Sequence, residues 1–350
     1  MKTIRDVNVK NKVVLVRVDF NVPIEDGAIT SDLRVRACLP TLDYLREHGA
    51  KKIILISHLG RPEGRDKTLS LKLVAELLDR LIGNVAFVSD VSGPDVESAV
   101  RKVKNGGILV LENLRFYAGE EKNSEDFICE IIDSTKAQIF VQDGFAVVHR
   151  AHASTSAIAK HLPVYAGLLL EKEITNLEKV MRRPEHPFVL IIGGAKVDDK
   201  QPLVDRFGRV ADKIIVGGKI AADGYSTKLG NVYVAEDFDE DAEGNKFDVG
   251  PVAMTKIAEM LKDAKMVIWN GLMGKAKDPA YATASTIVAK ILGEKRDCVT
   301  IVCGGDTAGF VENLMKQDEG LEYTLVSTGG GAALEFLAGN SLPGLEVVEE

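Results

Sequence analysis

The chain has 350 residues, enough for two domains of ordinary size. Hydrophobic residues make up 45% and charged residues 27%, and the formal net charge of −8 argues against general binding to nucleic acid or to an anionic membrane surface. The stretch MKTIRDVNVKNK lacks the apolar core of a signal peptide, and no run approaches the ~20 apolar residues that span a bilayer. The cysteines Cys38, Cys129, Cys298 and Cys303 form no CxxC pair and sit mostly in apolar periodic segments, which fits a reducing, cytoplasmic setting.

Short apolar runs read as strands at Val13–Val18, Ile53–Ser57, Val85–Val88, Ile108–Leu111 and Ile139–Gln142. Between them lie helical patterns such as DLRVRACLPTLDYLREHG and SLKLVAELLDRLIG, giving the βαβ rhythm of parallel sheets. The rhythm breaks at LLLEKEITNLEKVMRRPEHP, residues 168–187, where Leu170, Ile174, Leu177 and Val180 form a helical stripe ended by Pro184 and Pro187. A second set of strands follows at Phe188–Ile192, Lys213–Val216, Val232–Val234, Met266–Trp269, Val299–Cys303 and Thr324–Val326. Eleven strands in one open sheet would be unusual, so the expectation is two α/β domains with parallel sheets, joined by a connector helix over residues 168–184. The first domain then covers residues 1–167 and the second residues 185–335.

Open α/β sheets bind ligands beyond the carboxyl ends of their strands. In the first half those ends carry Asp19 and Asn21, then His58 and Arg61, then Arg115, then His149, Arg150 and His152, and an early helix adds Arg34 and Arg36. Taken singly, each reads as a surface charge, a salt bridge or a loop donor. Together they form a convergent edge in an acidic protein, which reads as a site for a small polyanion. The apolar strand IILIS therefore ends in HLGRP to present His58 and Arg61 to phosphate.

The second half has no GxxxxGK[ST] loop and no GxGxxG fingerprint, which counts against a nicotinamide-dependent dehydrogenase. It has glycines after strands instead: Gly193-Gly194 followed by Lys196 and Lys200, Gly304-Gly305 followed by Asp306 and Thr307, and Gly329-Gly330-Gly331 opening a helix. Glycine-rich strand–helix turns are common, but three of them with two lysines and an acid favour nucleotide phosphates, with Asp306 placed to reach Mg²⁺. A polyanion site and a nucleotide site on separate domains suggest a kinase that closes on its substrates and excludes water.

The motifs RVDFNVP, SHLGRP, LENLRF, HRAH, GGAKVDDK, WNG, GGDT and STGGGAALE, spread over residues 17 to 335, resemble phosphoglycerate kinases in content and order. The resemblance implies two Rossmann-like three-layer domains in a protein that is a monomer in most members, with a C-terminal return of residues 336–350 to the first domain. It implies reversible phosphoryl transfer in glycolysis between 1,3-bisphosphoglycerate and ADP, giving 3-phosphoglycerate and ATP, with Mg²⁺ accompanying the nucleotide. Asp19, Asn21, Arg34, His58, Arg61, Arg115 and Arg150 would bind phosphoglycerate; Gly194, Lys196, Lys200, Asn270, Gly305, Asp306 and Thr307 would bind nucleotide, with Asp306 as the metal ligand. Arg34, Lys196 and the helix start at Gly329 and Gly330 would stabilise the transferring group, and His152 would support the site.

The chain departs from the family in three places. The family usually reads W-N-G-P-[MVL]-G-x-F-E, whereas this chain reads WNGLMGKAKDPAY over residues 269–281. Leu272 replaces proline, Ala276-Lys277 replaces Phe-Glu, Cys303 replaces a glycine, and the segment around residues 217–245 looks trimmed. Lys277 cannot accept a hydrogen bond from a ribose hydroxyl, whereas Asp278 could after a small shift. The expectation is an active kinase with altered nucleoside recognition; the competing reading is a catalytically weak relative kept as a phosphoglycerate-binding module.

Overall fold

The computed structural model describes residues 1–198 and 200–349; Asp199, within the GGAKVDDK motif, and Glu350 lie outside the described residues. The apolar runs build two six-stranded parallel sheets, each covered by helices. In the first half the strands are β1 (Val13–Arg17), β2 (Ile24–Glu25), β3 (Ala28–Ile29), β4 (Lys52–Ile56), β5 (Val85–Phe87), β6 (Gly107–Val110), β7 (Ile139–Gln142) and β8 (Val164–Ala166). The second half contributes β9 (Phe188–Ile192), β10 (Lys213–Val216), β11 (Val232–Val234), β12 (Phe238–Glu240), β13 (Lys246–Val249), β14 (Met266–Asn270), β15 (Val299–Cys303) and β16 (Leu325–Val326).

The first sheet has the order β5-β6-β4-β1-β7-β8 and the second β11-β10-β9-β14-β15-β16, while β2–β3 and β12–β13 are separate antiparallel hairpins. Every residue of β1, β9 and β14 is buried, which is why these segments read as unbroken apolar runs rather than alternating ones. Each fully buried Val, Leu or Ile contributes about 1.5–3 kcal/mol relative to exposure. In both sheets the chain begins at a central strand, fills one side, then crosses to the other. The order therefore reverses between β1 and β7 and again between β9 and β14, where an open α/β sheet leaves a crevice at its carboxyl edge.

The sequence reading did not single out β8 or the two hairpins. Their strands are two to four residues long, and FDEDAEGNKFDVG reads as an acidic loop because its charges mask the short pairing. Three of the cysteines are buried, Cys129 is partly exposed, and all four are free thiols. No helix of the described residues is long and apolar enough to cross a membrane.

The chain divides into one unit of Met1–Ile174 with Ser341–Glu350 and another of Thr175–Asn340, the division falling inside the helix Leu168–Arg182. Asp143, just after β7, fastens that helix's first turn to the first unit. Its Oδ1 accepts the backbone N–H groups of Leu169 and Leu170 at 3.0 and 3.3 Å, and Thr41 also hydrogen-bonds the carboxyl group. At the other end of the chain the helix Pro343–Glu349 packs on the first unit, where Gly344 N–H donates to Val148 O at 2.8 Å. The helix Gly331–Ala338 packs instead on the helix Gln201–Phe207 of the second unit.

Burial pushes the Asp143 carboxyl up to about 7 from its ordinary value of 3.8. Between those two values the folded chain binds a proton at Asp143 that the unfolded chain releases. This group's contribution is therefore greatest below about pH 4 and is lost as pH rises toward 7, a swing on the order of a few kcal/mol. Asp143→Asn keeps an acceptor for the helix N–H groups and removes the titration. Denaturant unfolding from about pH 4 to 7 should show wild type losing stability relative to the variant; parallel pH profiles would contradict the assignment.

Candidate active site

Each unit carries its own half of the expected chemistry. In the first, the ends of β1 and β4 are locked together: Ser57 Oγ accepts the Phe20 N–H at 2.8 Å and donates to Val18 O at 2.9 Å. This fixes the turn that carries Asp19 and Asn21. Asp19 Oδ1 takes the Asn21 N–H at 3.1 Å, and its Oδ2 takes Arg34 Nη1 at 2.5 Å. Asn21 Oδ1 accepts the Gly60 N–H at 2.8 Å, and Gly60 O accepts Arg115 Nη1 at 2.7 Å. Gly60 has φ +64°, and a Cβ there would press on the Leu69 side chain, so glycine is required where SHLGRP turns. One hydrogen-bonded chain thus links Asp19, Asn21, Arg34, Gly60 and Arg115. Arg61 follows it as an exposed side chain, and Arg150 Nε contacts His149 Nε2 at 3.1 Å.

The sequence reading missed Arg17 and Glu120, on which the histidines rest. Arg17 is buried at the end of β1; its Nη2 lies 3.2 Å from His58 Nδ1 and 3.9 Å from Glu120 Oε1. Glu120 also takes the Ser154 hydroxyl at 2.6 Å and lies 3.8 Å from His152 Nδ1. The signal was available: a lone arginine closes an otherwise apolar strand in VVLVR. Burial first, then the field of Arg17 and Arg115, holds His58 well below its ordinary value and brings His152 down to about 4. Both are neutral at physiological pH, so neither adds to the positive charge that the arginines bring to this edge. Arg115, lowered by burial and by Arg150 and Arg17 to about 10, remains charged.

In the second unit β9 and β14 end against each other. Gly193 N–H donates to Asn270 O and Gly194 N–H to Leu272 O, both at 2.8 Å, and a Cβ on Gly193 would overlap the carbonyl oxygens of Gly271 and Leu272. This close approach opens into a cavity of about 1060 Å³. Gly194, Lys196 and Lys200 line it from the end of β9, Asn270 from β14, and Gly305, Asp306 and Thr307 from the helix Gly305–Gln317. Gly329 and Gly330 do not line it; they lead into the helix Gly331–Ala338, with Gly329 N–H donating to Ser327 Oγ at 3.1 Å.

Thr307 Oγ1 accepts the Gly271 N–H at 2.9 Å, tying the WNG turn to the GGDT turn. Asn270 is fully buried at the cavity wall, and neither its Oδ1 nor its Nδ2 has a hydrogen-bond partner. Lys277 lines the cavity with its Nζ 3.8 Å from Asp306 Oδ1. Asp278 does not line it: its side chain accepts the Ala280 N–H at 3.1 Å and caps the short turn Pro279–Tyr281. The hairpin β12–β13 lines the cavity through Phe238 and Phe247, with Lys246 over the first ring and Lys275 over the second.

The family model for phosphoglycerate kinase matches residues 4–232 and 221–340. A phosphoglycerate kinase of Dictyoglomus turgidum is 39% identical over 395 aligned positions, covering 99% of this chain and 98% of the relative. One of Moorella thermoacetica is 40% identical, covering 99% of each. Those alignments are longer than this chain's 350 residues, so the relatives carry segments it lacks, and the two family matches overlap at residues 221–232, after β10. Among solved structures, the phosphoglycerate kinase of Pyrococcus horikoshii superimposes with a TM-score of 0.87 at 29% identity, covering 100% of this chain and 98% of that one. That of Coxiella burnetii gives 0.78 at 30% identity, covering 99% and 98%. With this fold and these matches along nearly its whole length, the chain belongs to the phosphoglycerate kinase family, glycolytic phosphotransferases with a carboxyl group as acceptor.

Proposed function

We propose that the first unit holds 3-phosphoglycerate or 1,3-bisphosphoglycerate, that the second holds ADP or ATP with Mg²⁺, and that the phosphoryl group passes directly between them in line, with no phosphoenzyme. The observation that carries this reading is the Asn270 amide, fully buried at the wall of the cavity with no protein partner. An unsatisfied buried polar group costs about 1–3 kcal/mol, and a bound phosphate accepting from Nδ2 removes the donor's share of it.

In this reading Asp19, Asn21, Arg34, Arg61, Arg115 and Arg150 orient the phosphoglycerate, and His58 contributes as a neutral hydrogen-bonding group. Lys196 and Lys200 hold nucleotide phosphates with the backbone of Gly194 and Gly305 and with Thr307. Arg34, Lys196 and the helix start at Gly329 and Gly330 neutralise charge on the transferring group. The acceptor carboxylate is already ionised at neutral pH, so no general base is required. Asp306 fits a metal that arrives with the nucleotide. It offers one exposed carboxylate, Mg²⁺ is commonly bound through one or two carboxylates plus substrate phosphates, and no group of three or more potential metal ligands exists among the described residues. Bound there, Mg²⁺ supplies charge neutralisation of the phosphates. The same reading makes the protein a cytoplasmic monomer that engages neither nucleic acid nor membrane.

Replacing Arg34 by Ala should lower kcat/KM for 3-phosphoglycerate by roughly 10²–10³, and Lys196→Ala should lower kcat similarly, with folding checked by circular dichroism. Near-wild-type turnover by both variants would remove these residues from the reaction. A histidine cation with an ordinary pKa of about 6.5 would weaken phosphoglycerate binding as pH rises through that value. Because His58 and His152 are neutral well below it, KM should stay flat from about pH 6 to 8 once the substrate's own phosphate ionisation is allowed for. A severalfold rise in KM across that range would contradict the neutral assignment.

A further inference from the structure

The cavity is lined by six lysines and three aspartates among the described residues. Two aspartates are committed elsewhere: Asp223 pairs with Lys219 at 2.7 Å, and Asp248 accepts the backbone N–H groups of Val249 and Ala284. That leaves Asp306, in the first turn of a thirteen-residue helix, facing Lys277 across 3.8 Å. The two side chains are 77% and 85% exposed, so the pair is weak and opens readily.

This arrangement creates a defined electrostatic problem. The helix start and the buried Asn270 amide favour an anion at this end of the cavity, yet an arriving phosphate meets the Asp306 carboxylate. A cation has to stand between them. Mg²⁺ can, and so can an ammonium group, whose three N–H donors can divide between a carboxylate and a phosphate oxygen. Because Lys277 has no acceptor, its role falls on phosphate rather than on accepting from a sugar hydroxyl.

We propose that Lys277 is a specificity-determining residue for the nucleotide's counter-cation: tethered opposite Asp306, its ammonium takes over part of the metal's charge and lets the cavity accept a metal-free nucleoside diphosphate. The proposal rests on the nucleotide reading of this cavity. When the metal comes with the nucleotide, the weak pair opens and Asp306 is available to it. When it does not, Lys277 bridges Asp306 and the terminal phosphate. The mobile ammonium thereby broadens the range of magnesium concentrations over which nucleotide binds.

The test is isothermal titration of the full-length protein with ADP at constant ionic strength, in excess Mg²⁺ and in excess EDTA. Wild type should bind the two forms within about threefold of each other. Lys277→Met should widen the ratio of metal-free to metal-bound Kd to about tenfold or more, and Lys277→Glu should widen it further by placing a second carboxylate beside Asp306. Lys275→Met controls for the general positive field, since Lys275 lies over Phe247, and should leave the ratio unchanged. A strong Mg²⁺ preference in wild type, a ratio unaltered by Lys277→Met, or equal effects of Lys275→Met and Lys277→Met would each overturn the proposal while leaving the nucleotide reading intact. No ADP binding under either condition would overturn both.

Discussion

Where β9 and β14 end, two backbones pass so closely that no side chain fits between them. Gly193 lies against the Gly271 and Leu272 carbonyls, and the Gly193 and Gly194 N–H groups are spent on Asn270 and Leu272. The rest of the second unit's chemistry depends on this contact. It holds the WNG turn at the mouth of the crevice, buries the Asn270 side chain beside the cavity and, through Thr307, ties that turn to the helix that carries Asp306. The sheet order reverses at the same place, so close approach and crevice share one topological cause.

The first unit uses a different device at its corresponding reversal. Side chains rather than glycine contacts join its loops, through Asp19 with Arg34, Asn21 with the Gly60 amide and the Gly60 carbonyl with Arg115. Beneath them Arg17 and Glu120 form a buried pair that serves the Val18 carbonyl, Ser154 and His58, with His152 Nδ1 3.8 Å from Glu120. A buried pair of this kind is weak evidence for stability, but it fixes orientation, because removing either partner strands a charge. Keeping His58 and His152 neutral follows directly. The arginines already supply the charge, and adding imidazolium among them would be repulsive.

Much of this was legible in the sequence because both sheets bury their central strands on two faces. Continuous apolar runs such as VVLVR, FVLII and MVIWN therefore mark strands, and the polar residues after them mark the site. Motif order then pointed to the family. What remained hidden was of two kinds. The hairpin β12–β13 is too short and too acidic to show a periodic signal, although it forms part of the cavity. The placement of Asp278 and Lys277 turned on which direction one turn faces: Asp278 caps Pro279–Tyr281, and Lys277, not the acid beside it, faces Asp306. Sequence spacing cannot specify that choice, because a shift of one residue exchanges the two.

Ala276 and Lys277 line the cavity where the family motif carries Phe-Glu, while Lys196, Lys200, Asn270 and Thr307 line it as well, so the proposed nucleotide reading predicts altered nucleoside recognition with phosphate binding kept. The most direct test is steady-state phosphorylation of 3-phosphoglycerate by purified full-length protein, coupled to NADH oxidation, with ATP and GTP compared side by side. Robust turnover with both, at kcat/KM values within about tenfold of each other, is the predicted result. Folded protein that binds 3-phosphoglycerate yet turns over neither nucleotide would contradict it and favour a phosphoglycerate-binding module. Turnover with strict ATP selectivity would contradict the altered nucleoside end alone.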